Sequence, residues 1–400
     1  GTIINGNNIE VTNNGNTLNV NGSIENGNDA VITNNGKGGL NTANNSSVTN
    51  AGLLYVTNNA GALSLNGNIS NTGDKTQILN KGTNALVNGS IDNANDLVIV
   101  NNGTGALDVN ADILNGNDTS ISNSGTDANI TSTLVNGRNL VITNNGTGNL
   151  NVNGDIDNAL NTNIINTEKA NNLSLSGKLA NGNDLVVRNN GKGDMIVDGS
   201  IQNENNAELT NAGKDMTLSG KLINGNDIAV INNGKGQQTL SGNIENGNNA
   251  EFTNNGSAML ISGNIDNTAD ITITNNGNGG LIATDDSYVT NGGLLYVNNN
   301  AGALDLTGNV NNNGILTRIF NKGTNANVNG SINNANDLVV LNDGKGELNI
   351  GANILNGNNT EFTNNGTNAN ISGSVNNGND IVITNNGTGN LSVSGNINNE

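Results

Sequence analysis

The 400-residue chain has no cysteine, histidine, proline or tryptophan, and only three phenylalanines and three tyrosines. Without histidine or cysteine it lacks the usual pairs of an activated nucleophile and its base. We therefore predict that the protein is not an enzyme and that it uses no cofactor and no metal. The absence of cysteine is compatible with secretion. No run of about 18 apolar residues exists, so the sequence predicts no segment inserted in a membrane.

Positive charge is also scarce. The chain has 14 lysines and arginines against 33 acidic residues, for a formal net charge of −19. Nucleic-acid-binding proteins present a basic stripe, which this composition excludes. Docking on an anionic membrane is disfavoured for the same reason.

The dominant feature of the sequence is one repeated motif. An alternating apolar run ends in Asn-Asn-Gly and is followed by a short turn and a second alternating run, as in 96–109 and 380–393. Eighteen such markers lie between Gly15 and Gly387, with a mean spacing of about 22 residues. This period is typical of stacked supersecondary units. A disordered segment would not keep a regular spacing of about 22 residues over 18 repeats. A meander of β-hairpins would not require this spacing either.

Three short strands per repeat are predicted, because each apolar cluster alternates and is bounded by glycine or asparagine. The fourth residue before each marker is always apolar, for example Val11, Ile99 and Ile165. We predict an all-β fold: a right-handed, three-sided parallel β-helix of about 18 coils, roughly 85 Å long at ~4.8 Å per coil.

Asparagine occupies the second position before the marker in 17 of 18 coils, with Thr167 as the exception. Period-two alternation directs this position inward. Identical stacked amides can bond to one another along the stack, so we predict a structural internal Asn ladder. Its members are Asn13, Asn34, Asn58, Asn80, Asn101, Asn123, Asn144, Asn189, Asn211, Asn232, Asn254, Asn275, Asn299, Asn321, Asn342, Asn364 and Asn385.

Glycines mark the bend after the second strand, among them Gly22, Gly67, Gly89, Gly154 and Gly242. We expect them there because glycine permits unusual backbone dihedrals.

A longer repeat is superimposed on the short one. Leu53–Val56 returns as Leu294–Val297, 241 residues later. We therefore divide the chain into a super-repeat of eleven coils at 1–241 and a partial second copy at 242–400, forming one continuous rod. The chain starts in mid-repeat, and we interpret it as a mature or excised piece of a longer protein.

Two surface features leave alternatives open. Aspartates occupy one corner, at most one per coil, and are either polar turn residues or a calcium-binding edge: Asp29, Asp96, Asp118, Asp184, Asp227, Asp337 and Asp380. Outward positions of the first strand are half apolar, which reflects β-propensity or a lateral contact between rods.

The pattern Ile-Thr-Asn-Asn-Gly…Leu-x-Val-x-Gly-x-Ile, as at 142–156, resembles the repeat region of filamentous-haemagglutinin-like bacterial exoproteins. It is most similar to the Asn-rich high-molecular-weight adhesins exported by two-partner secretion. The resemblance implies a β-helical rod located outside the cell, at the bacterial cell surface.

We therefore predict a structural rod or filament of a bacterial surface adhesin, mediating adhesion or biofilm matrix structure. Its expected partners are itself, end to end or laterally, and host or matrix glycans. The alternative is a glycan-binding β-helix module, and a β-helical polysaccharide lyase ranks third because no clustered acid-and-base site is present.

Overall fold

A computed structural model describes all 400 residues as strands and turns, without a helix. The chain consequently has no helix of the length and apolar character needed to cross a bilayer. Contacts divide it into two compact units, Gly1–Asp194 and Met195–Glu400. This division differs from the predicted super-repeat boundary between residues 241 and 242, which stays a prediction.

Each coil consists of three strands, one in each of three parallel sheets. Sheet 1 contains the strands that end at the Asn-Asn-Gly marker. In the first unit these are Ile9–Asn13, Ala30–Asn34, Leu54–Asn58, Lys75–Asn80, Asp96–Asn101, Thr119–Asn123, Leu140–Asn144, Thr162–Asn166 and Leu185–Asn189. In the second unit they are Ala207–Asn211, Ile228–Asn232, Ala250–Asn254, Ile271–Asn275, Leu294–Asn299, Leu316–Asn321, Asp337–Asn342, Thr360–Asn364 and Ile381–Asn385.

Sheet 2 follows the marker turn. Its strands in the first unit are Thr17–Val20, Gly39–Thr42, Leu63–Leu65, Ala85–Val87, Leu107–Val109, Ala128–Ile130, Leu150–Val152 and Leu173–Leu175. In the second unit they are Met195–Val197, Met216–Leu218, Gln238–Leu240, Ala258–Ile261, Gly280–Ala283, Leu304–Leu306, Ala326–Val328, Leu348–Ile350, Ala369–Ile371 and Leu391–Val393.

Sheet 3 closes each coil. Its strands in the first unit are Ile3–Asn5, Ser23–Asn26, Ser47–Asn50, Asn68–Asn71, Ser90–Asn93, Asp112–Asn115, Leu134–Asn136, Ile156–Asn158 and Leu179–Asn181. In the second unit they are Ile201–Asn203, Leu222–Asn224, Ile244–Asn246, Asn264–Asn267, Tyr288–Asn291, Asn309–Asn312, Ser331–Asn334, Asn353–Asn356, Val375–Asn377 and Ile397–Asn399.

Equivalent residues of neighbouring coils stack on one another. Ile99 pairs with Ile78 on one side and with Ile121 on the other, and all three side chains are buried. Sheet 1 has nine strands in each unit, which matches the predicted 18 coils of about 22 residues. The predicted three-sided parallel β-solenoid is thus confirmed.

Most of the bend glycines are explained by stacking rather than by dihedral freedom. Of the five named above only Gly89 has a positive φ, of 83°. A Cβ on Gly154 would instead lie 1.8 Å from the backbone oxygen of Ser132 in the preceding coil, and one on Gly242 would lie 2.0 Å from that of Gly220. The expected reason is confirmed for Gly89 and was wrong for the other four, which are needed for the close approach of one coil to the next.

The two longest coils, at 36–60 and 277–301, have the same local structure. In the first unit Ser46 donates from its hydroxyl to the Ala43 carbonyl over 2.7 Å. In the second unit Ser287 does the same to the Thr284 carbonyl, also over 2.7 Å. Beneath each of these turns lies a small apolar cavity, of about 10 Å³ and 20 Å³ respectively.

Candidate functional site: two buried asparagine ladders and an outer face

The asparagines at the end of the sheet 1 strands form the predicted ladder. Asn80 donates to Oδ1 of Asn101 over 2.8 Å, and Asn101 donates to Oδ1 of Asn123 over 2.8 Å. The second N–H of Asn101 reaches the Gly105 carbonyl at 3.0 Å, and its Oδ1 also accepts from the Gly103 N–H at 3.2 Å. Both donors and both acceptor positions of the amide are therefore used, which removes the penalty of burying it.

The same arrangement runs through the second unit. Asn299 donates to Asn321 over 2.8 Å, and Asn321 donates to Asn342 over 2.7 Å. All three side chains are fully buried. The internal Asn ladder is thus present in both units.

The predicted interruption of the ladder at Thr167 was wrong. Asn166 fills the position, accepting from Asn144 over 3.1 Å and donating to Asn189 over 2.9 Å. Ile164 pairs with Ile142 and is fully buried, whereas Ile165, which we expected inside, is half-buried on the outer face. The turn after Asn166 is longer than in the other coils. Counting two and four residues back from the marker position of this coil, Lys169, therefore gave Thr167 and Ile165 instead of Asn166 and Ile164.

A second buried ladder lies at the end of the sheet 3 strands, and sequence reasoning missed it. Asn93 donates to Asn115 over 2.6 Å, Asn115 to Asn136 over 2.9 Å and Asn136 to Asn158 over 2.7 Å. The signal was available, since asparagine follows the third-face apolar residue by two positions, as in Ile91-Asp92-Asn93.

Five buried threonines in sheet 1 are satisfied by this second ladder. Each donates from Oγ1 to the Oδ1 of a sheet 3 asparagine over 2.7 Å. The pairs are Thr76–Asn93, Thr119–Asn136, Thr162–Asn181, Thr317–Asn334 and Thr360–Asn377. The two ladders and these threonines form a buried polar network in a core that is otherwise aliphatic.

The corner aspartates accept hydrogen bonds from the next coil. Oδ1 of Asp227 accepts from the backbone N–H of Asn249 at 3.1 Å and from the side chains of Asn248 and Asn249 at 2.8 and 3.1 Å. Oδ1 of Asp337 has the same three types of partner on Asn358 and Asn359. No group of three or more acidic side chains is close enough together to hold a metal ion. These contacts support the interpretation as turn residues over the calcium-binding edge.

Outward side chains of sheet 1 form a continuous surface in the first unit. We call it the outer face of sheet 1, defined as the two outward positions nearest the marker on each of the eight strands from Ala30–Asn34 to Leu185–Asn189. The two six-residue strands have a third outward position, Lys75 and Asp96, which lies at the border of this face. Half of these residues are apolar: Val31, Tyr55, Leu79, Val98, Val100, Val141, Ile165 and Val186. The other half are Thr33, Thr57, Gln77, Ser120, Ser122, Thr143, Asn163 and Arg188. All sixteen are half-buried, and none carries a carboxylate.

The second unit has a different outer feature. The guanidinium of Arg318 lies 5.1 Å from the ring centre of Phe320, and the ammonium of Lys322 lies 5.0 Å from it. Tyr296 stands beside Arg318 on the neighbouring strand. Two half-buried rings and two cations are thus grouped within two coils of an acidic chain. We call Tyr296, Arg318, Phe320 and Lys322 the cationic aromatic patch.

A shallow groove of about 630 Å³ crosses the surface of the first unit where the turn is longer, and it is lined by Ser124, Asn145, Thr167, Glu168, Lys169 and Asn190. Its single carboxylate and single ammonium come from adjacent residues and point to no particular reaction.

Comparisons of the chain with protein-family models, with curated proteins and with solved structures found no match.

Proposed function

We propose that this protein is a structural module of a bacterial surface adhesin, located outside the cell, where it supports adhesion or the biofilm matrix without catalysis. The observation that carries the proposal is the hydrogen-bond saturation of the buried ladders. Asn101, for example, makes four hydrogen bonds that connect three successive coils. A side chain used in this way is unavailable to a substrate but fixes the stacking of coils.

Two further features support the proposal. A repeat fold lengthens by adding coils, because each repeat contacts only its neighbours. Its surface is rich in uncharged amides and has a strong net negative charge of −19, which favours solubility. Both properties suit a spacer that projects from a cell. The resemblance to high-molecular-weight adhesin repeats points to the same role.

The proposal is tested on cells of the source organism. Antibodies raised against the folded chain should label unpermeabilised cells, and added protease should remove the label. Deleting the coding region should reduce adhesion or biofilm mass, and restoring it should recover both. If the antibodies label only permeabilised cells, or if deletion leaves adhesion and biofilm unchanged, the role is refuted.

The cationic aromatic patch favours a second candidate function, the binding of glycans. Aromatic rings provide a stacking surface for the apolar faces of sugars, and Arg318 and Lys322 could pair with acidic substituents. Glycan-array binding by the purified chain that is lost in Phe320→Ala and kept in Leu114→Ala would favour this function. Leu114 is a suitable control because it is exposed and lies on sheet 3 of the other unit.

A further inference from the structure

We propose that the outer face of sheet 1 in the first unit is a self-association surface, on which a second copy of this chain packs face to face. The surface combines three properties that such a contact needs. Its side chains lie in rows, half of its sixteen residues are apolar, and none of the sixteen carries a carboxylate, Asp96 lying at the border. The proposal concerns the purified chain alone and does not depend on the adhesin role.

The absence of carboxylates distinguishes this face from the rest of the unit. Outward positions on sheet 3 carry Glu25, Asp92 and Asp157, and sheet 2 carries Asp108. For two chains of formal charge −19, contact through those sheets would bring like charges together. On the eight strands of this face the only carboxylate is that of Asp96, at the border, so most of the face allows close contact without desolvating an acidic group.

The stacking also makes the face regular. Tyr55 pairs with Val31 and Gln77, while Leu79 pairs with Val100 on the next strand, so outward side chains lie in straight rows. Two sheets with such rows pack about 10 Å apart with their side chains interdigitated. A second copy supplies the same rows.

The area is sufficient for a weak, specific contact. Eight strands at ~4.8 Å spacing and five residues at ~3.3 Å give roughly 600 Å² per copy. The total of about 1,200 Å² reaches the lower limit of stable protein interfaces. We therefore expect a dimer that dissociates in the micromolar range.

Charge at the two borders of the face predicts the orientation. One border is the corner that carries Asp29, Asp96 and Asp118 together with a single lysine, Lys75, beside Asp96. The opposite border is formed by the marker asparagines and Lys81. A two-fold axis parallel to the stacking direction places the acidic border of one copy against the uncharged or basic border of the other. The antiparallel arrangement would place acid against acid, so we infer that the two copies run parallel.

The test is the mass of the full chain in solution. Sedimentation velocity over about 1–200 µM should show a rise from 40.6 kDa towards twice that value. The rise should be larger in roughly 0.5 M salt than at low salt, because screening weakens the repulsion between two acidic chains.

The disrupting variant is Val98→Glu with Val141→Glu. The equivalent position carries glutamate in other coils, at Glu10, Glu208 and Glu251, so the fold accepts the substitution. The matched control is Leu114→Glu with Val135→Glu, which adds the same charge on sheet 3, where these side chains are 54% and 38% exposed. The first variant should remain at 40.6 kDa at every concentration, and the control should still dimerise.

Orientation can be tested because the chain has no cysteine. A Thr57→Cys variant, near one end of the face, should be linked to itself by a bis-maleimide if the copies run parallel, and should not be linked if they run antiparallel.

A wild type that stays monomeric throughout would overturn the proposal. So would equal effects of the two double variants, or a monomer that binds an insoluble polysaccharide through Val98 and Val141.

Discussion

The side-chain amide of Asn101 donates to Oδ1 of Asn123 over 2.8 Å, and both side chains are fully buried. Each member of the ladder depends on the members above and below it, because its oxygen accepts from one coil and its nitrogen donates to the next. The ladder is therefore a cooperative element, and removing one amide affects three coils.

Asn101→Leu should destabilise the protein by about 3 kcal/mol. It leaves one N–H of Asn80 buried without an acceptor, and Oδ1 of Asn123 keeps only the Gly125 N–H. The Gly103 N–H and the Gly105 carbonyl also lose their bonds to the Asn101 side chain. Hydrogen exchange should show the loss of protection centred on these coils. The control is Asn102→Ala, which removes an exposed asparagine next to the ladder. It should change the free energy of unfolding by less than about 0.5 kcal/mol, and equal losses in the two variants would contradict a structural ladder.

Thr119→Val should cost about 1 kcal/mol, because it removes the hydroxyl that donates to Asn136 at nearly constant volume. Asn136 keeps the bond from Asn115, which limits the loss. Thr143→Val is the matched control, since Thr143 is half-buried on the outer face. Chemical denaturation of the two variants side by side measures the difference, and a control as unstable as Thr119→Val would contradict the role of the second ladder.

Gly154→Ala should be strongly destabilising, by about 3 kcal/mol or more, since the new Cβ would lie 1.8 Å from the Ser132 backbone oxygen. Gly105→Ala offers a matched comparison. There the nearest atom is Oδ1 of Asn84 at 1.7 Å, and this side chain is exposed and can rotate away. Thermal unfolding should place Gly105→Ala near wild type, and the reverse order would refute the close-approach explanation.

Gln238→Met should stabilise the second unit. Gln238 is fully buried in a column between Met216 and Met259, and its Oε1 has no hydrogen-bond partner. Methionine has a similar volume and leaves no unsatisfied acceptor, although the 3.1 Å bond from Nε2 to the Val230 carbonyl is lost. We expect a gain of about 1 kcal/mol, measured by thermal and denaturant unfolding. A less stable variant would show that the bond to Val230 outweighs the unsatisfied oxygen.

The sequence by itself determined the coil, its three faces and the first ladder. The alternation around Ile99 and Asn101 decides which side chains point inward. The repeat of about 22 residues then places each residue on the equivalent residue of the next coil. These are local properties of the chain, repeated often enough to exclude a hairpin meander.

The tertiary structure decided what depends on pairing between coils. Asn166 belongs to the ladder because hydrogen bonds to Asn144 and Asn189 fix its register, which no count from the turn could provide. Asn93 is buried because the next coil supplies its partners, although in sequence it reads as a turn residue. Gly154 is required by an oxygen 22 residues away, on Ser132, and such a contact exists only once the coils are stacked.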